Sequence, residues 1–172
     1  MTTITIALAG NPNAGKTTLF NALTGDNQHV GNWPGKTVEK RTGMFWHRGV
    51  QVKVIDLPGV YSLSSYSPEE EVTRDYLINE KFELVVNVID ASNLERNLYL
   101  TIQMRETGVP MMLLLNKSDL ARRKGYQIDT AQLSTDLGRI PIVEAEAIKG
   151  KGLEQLKDAI LEFLELPKGQ PA

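Results

Sequence analysis

Short apolar runs alternate with amphipathic, helix-length segments along almost the whole chain, and this rhythm leaves few folds open. Ile4-Thr5-Ile6-Ala7-Leu8-Ala9 reads as a buried strand and residues 16–24 as a helix. "VEKRTGMFWHRGVQVKVID" reads as two strands joined by a turn at His47-Arg48-Gly49, the one antiparallel pair expected. Ser67-Pro68-Glu69-Glu70 supplies an N-cap, a proline at the first helical position and a glutamate at the third, starting a helix that reaches Asn79. The strand "ELVVNVID", a helix over 94–107 capped by Ser92 or Asn93, and a strand over 111–116 follow. Asp129 caps a helix to about Leu137, "IPIVEA" is a short strand, and 152–165 is a helix with Leu153, Leu156, Ile160 and Leu164 on one face. Residues 26–38 read as a long irregular loop.

Helices between strands require right-handed crossovers and a mostly parallel sheet covered on both faces. The expected fold is α/β: a three-layer αβα sandwich around a six-stranded, mostly parallel sheet with one antiparallel strand. A length of 172 residues suits one domain, placed at 1–166, with 167–172 a tail that starts a linker. On such sheets ligands bind beyond the carboxyl ends of the strands. A real site should therefore be built from post-strand loops.

The loop after the first strand meets that test. Gly10-Asn11-Pro12-Asn13-Ala14-Gly15-Lys16-Thr17-Thr18 fits G-x-x-x-x-G-K-[ST] between a strand and a helix, the P-loop pattern. Its glycines let backbone N–H groups turn inward onto a β-phosphate, Lys16 adds a cation between the β- and γ-phosphates, and the Thr17 hydroxyl is placed for Mg2+. A second oxygen ligand is expected at the end of a neighbouring strand. Asp56, opening Asp56-Leu57-Pro58-Gly59-Val60, is that ligand, and the Gly59 N–H is placed to sense a γ-phosphate. In the stretch Gly31-Asn32-Trp33-Pro34-Gly35-Lys36-Thr37, the Thr37 hydroxyl would join the Mg2+ only in a triphosphate state; the plainer reading is a threonine entering a strand. Trp33 is expected on the exposed loop.

"MMLLLNKSDL" ends a strand with Asn116-Lys117-Ser118-Asp119. The Asp119 carboxylate can accept both the N1–H and the 2-amino group of guanine, donors that adenine lacks. Asn116 would tie this loop to the phosphate loop, the Lys117 stem would lie along the base, and the Ala147 N–H would serve guanine O6.

Composition narrows the classes further. The absence of cysteine excludes disulfides, iron–sulfur clusters and thiolate zinc sites, and His29 and His47 stand without metal-ligand spacing. A net charge of −2 and one short basic run, Arg122-Arg123-Lys124, give no nucleic-acid footprint. No basic n-region opens the chain, and the longest apolar run is far too short to span a bilayer.

Phosphate loop, switch threonine, D-x-x-G and N-K-x-D stand in the order of the TRAFAC translation-factor-related GTPases, which the sequence resembles over nearly its whole length. Where Ras-type members carry glutamine after D-x-x-G, this chain has Val60, so the resemblance is to the hydrophobic-substituted GTPases. In potassium-dependent members, an asparagine at the place of Asn13 coordinates K+ beside the phosphates. The resemblance thus makes Asn13, with carbonyls near 31–36, a K+ ligand; the alternative is a turn asparagine tolerating an unusual backbone angle.

"HVGNWPGKTVEKRTG", "DLPGVYSLSSYSPEE" and "VIDASNLERNLYLTIQMRETGVP" are similar to FeoB, a family of bacterial ferrous iron transport proteins. That resemblance covers about 1–165 and implies a slow, K+-stimulated GTPase with Mg2+ as cofactor and GTP or GDP as ligand. It also implies a membrane permease domain of the same protein as partner, at the cytoplasmic face of the inner membrane. A stand-alone hydrophobic-substituted GTPase acting on ribosomes or tRNA is the alternative. The guanine loop departs from related GTPases in having Glu146 where serine is common.

Overall fold

The computed structural model describes residues 2–165; the predicted tail lies outside them. Seven strands form one sheet in the order β2-β3-β4-β1-β5-β6-β7. They are β1 Thr3–Gly10, β2 Gln28–Asn32, β3 Glu39–His47, β4 Val50–Asp56, β5 Leu84–Asp90, β6 Met111–Asn116 and β7 Ile142–Glu144. The helices are α1 Lys16–Thr24, α2 Pro68–Asn79, α3 Leu94–Glu106, α4 Ser118–Arg123, α5 Thr130–Asp136 and α6 Leu153–Glu165.

The sheet has one strand more than the sequence suggested. Part of the supposed loop 26–38 is β2, which pairs antiparallel with β3 in the register Val30↔Arg41. β3 in turn pairs antiparallel with β4, so there are two antiparallel ladders, although β3 alone runs against the rest. β2 escaped notice because it is an edge strand with a largely exposed, non-alternating sequence, "QHVGN". The β3–β4 hairpin was legible: Arg48 and Gly49 both adopt positive φ (47° and 79°), the geometry of a two-residue turn matched to strand twist.

Period-two alternation places the core. On β1, Ile6 and Leu8 face the layer of α1 and α6, packing with Leu19, Phe20, Leu156 and Ile160. Ala7 and Ala9 face the other layer, with Tyr76, Leu100 and Met104 from α2 and α3. The last helix presents the expected stripe: Leu156 and Ile160 are fully buried, and Leu153 and Leu164 pack at its rim.

Caps follow sequence in two helices and depart from it in a third. Ser67 Oγ accepts from the Glu70 N–H (3.1 Å), and Asp129 Oδ1 from the Gln132 N–H (3.0 Å). Asn93 stands at the N-cap of α3 without a side-chain cap bond. The capping role falls to Asp90, whose Oδ1 accepts from the Ser92 N–H (2.9 Å) and hydroxyl (2.6 Å) of a short 3-10 turn. α4 was also unforeseen, being too short to show a period. Strand order reverses about β1, with β4 on one side and β5 on the other, so the loop following Gly10 lies at the switch point of the sheet.

Candidate functional site

The phosphate loop is shaped by close approaches that only glycine permits. A Cβ on Gly10 would lie 2.5 Å from the Val88 carbonyl oxygen of β5. Gly15 has φ 92°, and a Cβ there would lie 2.1 Å from Asn116 Nδ2. Asn116 occupies that space as a bridge. Its Nδ2 donates to the Ala14 carbonyl (3.0 Å), and its Oδ1 accepts from the Ala147 N–H (2.9 Å). The base loop and phosphate loop are therefore one hydrogen-bonded unit.

Lys117 adds a second tie that the sequence reading missed. It sits at φ 59°, and its Nζ donates to the Asn13 carbonyl (2.7 Å) and to Asp90 Oδ2 (3.2 Å). Burial works to raise the Asp90 carboxyl, but hydrogen bonds from Ser92 and Lys117 outweigh it and hold the group below the usual carboxylate range. Asp90 had a positional signal, since it ends β5 as Asp56 ends β4.

Around the loop lies a cleft of about 590 Å3, whose walls include Asn11, Asn13, Lys16, Thr17, Gly59 and Lys117. A contiguous cleft of about 330 Å3 is lined by Thr17, Thr37, Asp56 and Gly59, with Arg41 and Glu69 at its walls. The residues expected around phosphate and Mg2+ thus converge. Lys16 and Asp56 are both buried and form an ion pair with each other. Asn11 is also buried, and neither its amide oxygen nor its nitrogen has a hydrogen-bond partner. Asn13 has φ 67° and an exposed side chain, with only its carbonyl engaged in the protein.

Three expectations need revision. Trp33 is buried rather than exposed: it packs edge-on against Tyr76 of α2 (5.7 Å), beneath the Lys40 ammonium (4.5 Å). Of residues 31–37, only Thr37 lines the phosphate-side clefts, while Trp33, Pro34 and Lys36 line a cavity against α2. The Ala147 N–H stands beside the base loop, yet it is engaged by Asn116 in this conformation. Val60 is buried and its N–H donates to the Gly10 carbonyl (3.1 Å), so it closes the turn over residues 56–60 onto the phosphate loop.

At the base end, Asp119 is surrounded by charge. Arg122 pairs with Oδ1, and Lys149 and Lys151 stand 3.6 and 3.8 Å from Oδ2. Hydrogen bonding with Glu146 and with Arg122 holds the Asp119 carboxyl well below the ordinary range. Another cleft, of about 640 Å3, lies elsewhere, with Leu94, Leu98, Tyr99, Ile102 and Tyr126 among its lining. It is mostly apolar and lacks the convergent charged groups of the phosphate side.

The family model for ferrous iron transport protein B matches residues 4–160. The chain belongs to the FeoB family. It corresponds to the family's N-terminal G domain. The Fe(2+) transporter FeoB of Salmonella typhimurium is 49% identical over 164 residues, which cover 93% of this chain and 21% of the relative. The chain thus spans about a fifth of the length of the curated FeoB relatives it matches. Among solved structures, the FeoB G domain of Methanococcus jannaschii superposes with a TM-score of 0.85 at 48% identity, covering 96% of this chain and 99% of that one. The cytosolic domain of T. maritima FeoB in a GDP form gives 0.92 at 44% identity, covering 96% and 65% respectively. These FeoB matches do not favour the ribosome- or tRNA-associated alternative. Among the described residues, no helix is long and apolar enough to cross a membrane.

Proposed function

We propose that this domain binds GTP and GDP with Mg2+ and hydrolyses GTP, and that the nucleotide state regulates or couples ferrous iron passage through a permease domain of the same full-length protein. The place of action would be the cytoplasmic face of the bacterial inner membrane. The observation that carries this reading is the bond from Asn116 Nδ2 to the Ala14 carbonyl, which ties the phosphate loop to the loop after β6 and sets their separation. GDP-bound relatives with the same fold support it.

The phosphate end fits a polyanion. The first turn of α1 contains no acidic residue, and its N-cap Gly15 makes no side-chain cap bond, leaving amide donors for phosphate oxygens. Burying two unpaired polar atoms on Asn11 costs about 1–3 kcal/mol each unless a ligand group pairs them. Lys16 would exchange the Asp56 carboxylate for β- and γ-phosphate oxygens. Thr17, Asp56 and Thr37 line one cleft and are hard oxygen donors, the set that suits Mg2+. When bound, Mg2+ supplies positive charge to the phosphates and the leaving group.

The protein's own groups then divide the work. The Gly59 N–H and Thr37 register the γ-phosphate, and the chain around Gly59 is held against the loop, where a Cβ would approach Pro12 Cα to 3.2 Å. Asp119 accepts from guanine N1–H and the 2-amino group. Ala147 serves O6 once its N–H leaves Asn116. Val60 offers no hydrogen bond to an attacking water, so intrinsic turnover is slow. The exposed Asn13 amide is the group suited to K+, whose charge would substitute for an arginine supplied in trans. Its left-handed backbone also fits the turn-asparagine alternative.

Measuring GTP and ATP hydrolysis side by side in K+ and in Na+ tests this reading. GTP should be hydrolysed faster in K+, and ATP should not be turned over. Asn13→Ala should bring the K+/Na+ rate ratio to about one. Equal rates in the two salts for the unmodified protein would remove K+ from the mechanism, and equal use of ATP would remove the base assignment.

A further inference from the structure

Glu146 is a buried carboxylate, 7% exposed, with one oxygen, Oε2, left without a hydrogen-bond partner. Lys149 and Lys151 lie 3.7 and 3.6 Å from that oxygen, near enough to balance its charge but beyond hydrogen-bonding distance. The same two ammonium groups stand 3.6 and 3.8 Å from Asp119 Oδ2. The two carboxylates therefore share one ionic cluster at the base end of the site.

The backbone holds Glu146 there. Its N–H donates to the Lys151 carbonyl (3.0 Å), the Lys151 N–H returns to the Glu146 carbonyl (3.1 Å), and the next residue is tied to Asn116 (2.9 Å). These bonds fix the backbone from which the Glu146 side chain projects into the cluster. A buried, unpaired acceptor is unfavourable unless a bound group supplies the missing donor.

Guanine has three N–H donors on its Watson–Crick edge: N1–H and the two of the 2-amino group. Arg122 engages Asp119 Oδ1, and both lysines approach Oδ2, so Asp119 is already crowded with donors. We propose that Glu146 is a guanine-specificity residue, its Oε2 accepting from the 2-amino group beside Asp119. The base pocket thus carries two acceptor carboxylates, and a base without the amino group leaves one of them unpaired. This rests on the guanine-nucleotide reading above and sharpens it.

Inosine diphosphate is the discriminating probe, because it keeps the diphosphate, the ribose, O6 and N1–H and lacks only the amino group. Affinities for GDP and IDP are measured by titration, with Mg2+, on the unmodified domain and on Glu146→Ser and Glu146→Gln. The unmodified domain should prefer GDP strongly. Glu146→Ser should lower the GDP/IDP ratio at least about tenfold, by loss of a hydrogen bond to a charged acceptor. Glu146→Gln, which keeps an acceptor and loses the charge, should lower it by less. An unchanged ratio in Glu146→Ser, even with both affinities reduced, would overturn the proposal and leave Glu146 a purely structural residue. So would an unmodified domain that binds the two nucleotides equally. Failure of the unmodified domain to bind GDP at all is a different result, since it removes the guanine reading itself. If Glu146→Ser does not fold, the Glu146→Gln ratio decides alone.

Discussion

The two ends of the site are built differently. At the base end, loops after β1, β6 and β7 are joined by buried hydrogen bonds: Asn116 to Ala14, Ala147 to Asn116, and Ser118 N–H to the Ala145 carbonyl (3.3 Å). At the other end, the switch end around residues 31–37 and 56–74, the hydrogen bonds and ion pairs are mostly exposed or half-exposed. They include Lys36 with Glu71 (3.0 Å), Ser62 with Ser64 (2.7 Å), Arg74 with Ser65 (2.7 Å) and Glu70 with Ser64 (2.7 Å). Exposed pairs are worth about 0–1 kcal/mol each, whereas a buried group left unpaired costs about 1–3 kcal/mol. The base end is thus pre-organised to hold a ligand, and the switch end can be rearranged by a ligand's contacts.

Asn116→Ala probes the stiff end and should have the largest effect. It strands a carbonyl on Ala14 and an N–H on Ala147, both on buried residues, and opens space beside Gly15. With nucleotide bound the Ala147 N–H has guanine O6 as its partner, so the stranded Ala14 carbonyl, at about 1–3 kcal/mol, sets the loss of GDP affinity at about tenfold or more. Calorimetric titration of GDP checks it. A drop of less than fivefold would mean that the loops hold their separation without the bridge.

The sequence made the stiff end legible and the switch end much less so. Gly10, Gly15, Lys16, Asp56, Asn116 and Asp119 are residue types with narrow chemical uses, and each follows a strand that could be read from its apolar run. In the structure β1, β4 and β6 end at Gly10, Asp56 and Asn116; Gly15, Lys16 and Asp56 line the phosphate-side clefts, and Asn116 is bonded to the phosphate loop. Trp33 was misread because glycine and proline on both sides suggest an exposed turn. Its burial depends on Tyr76, 43 positions away, and no local pattern encodes that packing. β2 failed for the same reason, since its order comes from pairing with β3. The Lys117–Asp90 tie and the Glu146 environment likewise join residues whose spacing matches no motif.

Tyr76→Leu probes the softer end, with an intermediate effect. Tyr76 is buried, meets Trp33 edge-on and stacks on Phe82 (5.6 Å). Each aromatic pair contributes about 0.5–1.5 kcal/mol beyond area burial, so the variant should lose about 1–3 kcal/mol of stability. Trypsin should cut faster at Lys36, Lys40 or Arg41 under native conditions, because the stretch 31–37 loses its anchor on α2. GDP affinity should fall far less than in Asn116→Ala. Equal losses in the two variants would erase the distinction between a pre-organised and a rearrangeable end.

The smallest effect is expected far from both ends, where the β3–β4 hairpin is tied to α6. His47 Nε2 lies 2.6 Å from Asp158 Oδ1, and Arg48 lies 3.0 Å from the same oxygen. The hydrogen bond from His47, opposed by partial desolvation and helped by the charge of Arg48, lowers the Asp158 carboxyl below its ordinary range. A carboxyl depressed in the folded state adds stability above its unfolded value, about 3.9, and loses that contribution as pH falls through the folded value. In His47→Ala, Asp158 returns toward its ordinary range. The variant should therefore melt slightly lower than the parent near neutral pH, and the gap should close as the pH drops below the range in which Asp158 titrates. Thermal melts at intervals between pH 7 and pH 3 check the sign. A gap that widens steadily with acid would mean that the hairpin is held to α6 by packing, such as Lys157 over Phe45 (5.8 Å), and not by this carboxylate. GDP affinity should stay within about twofold of the parent throughout, since no bond of this cluster reaches the base loop or the phosphate loop.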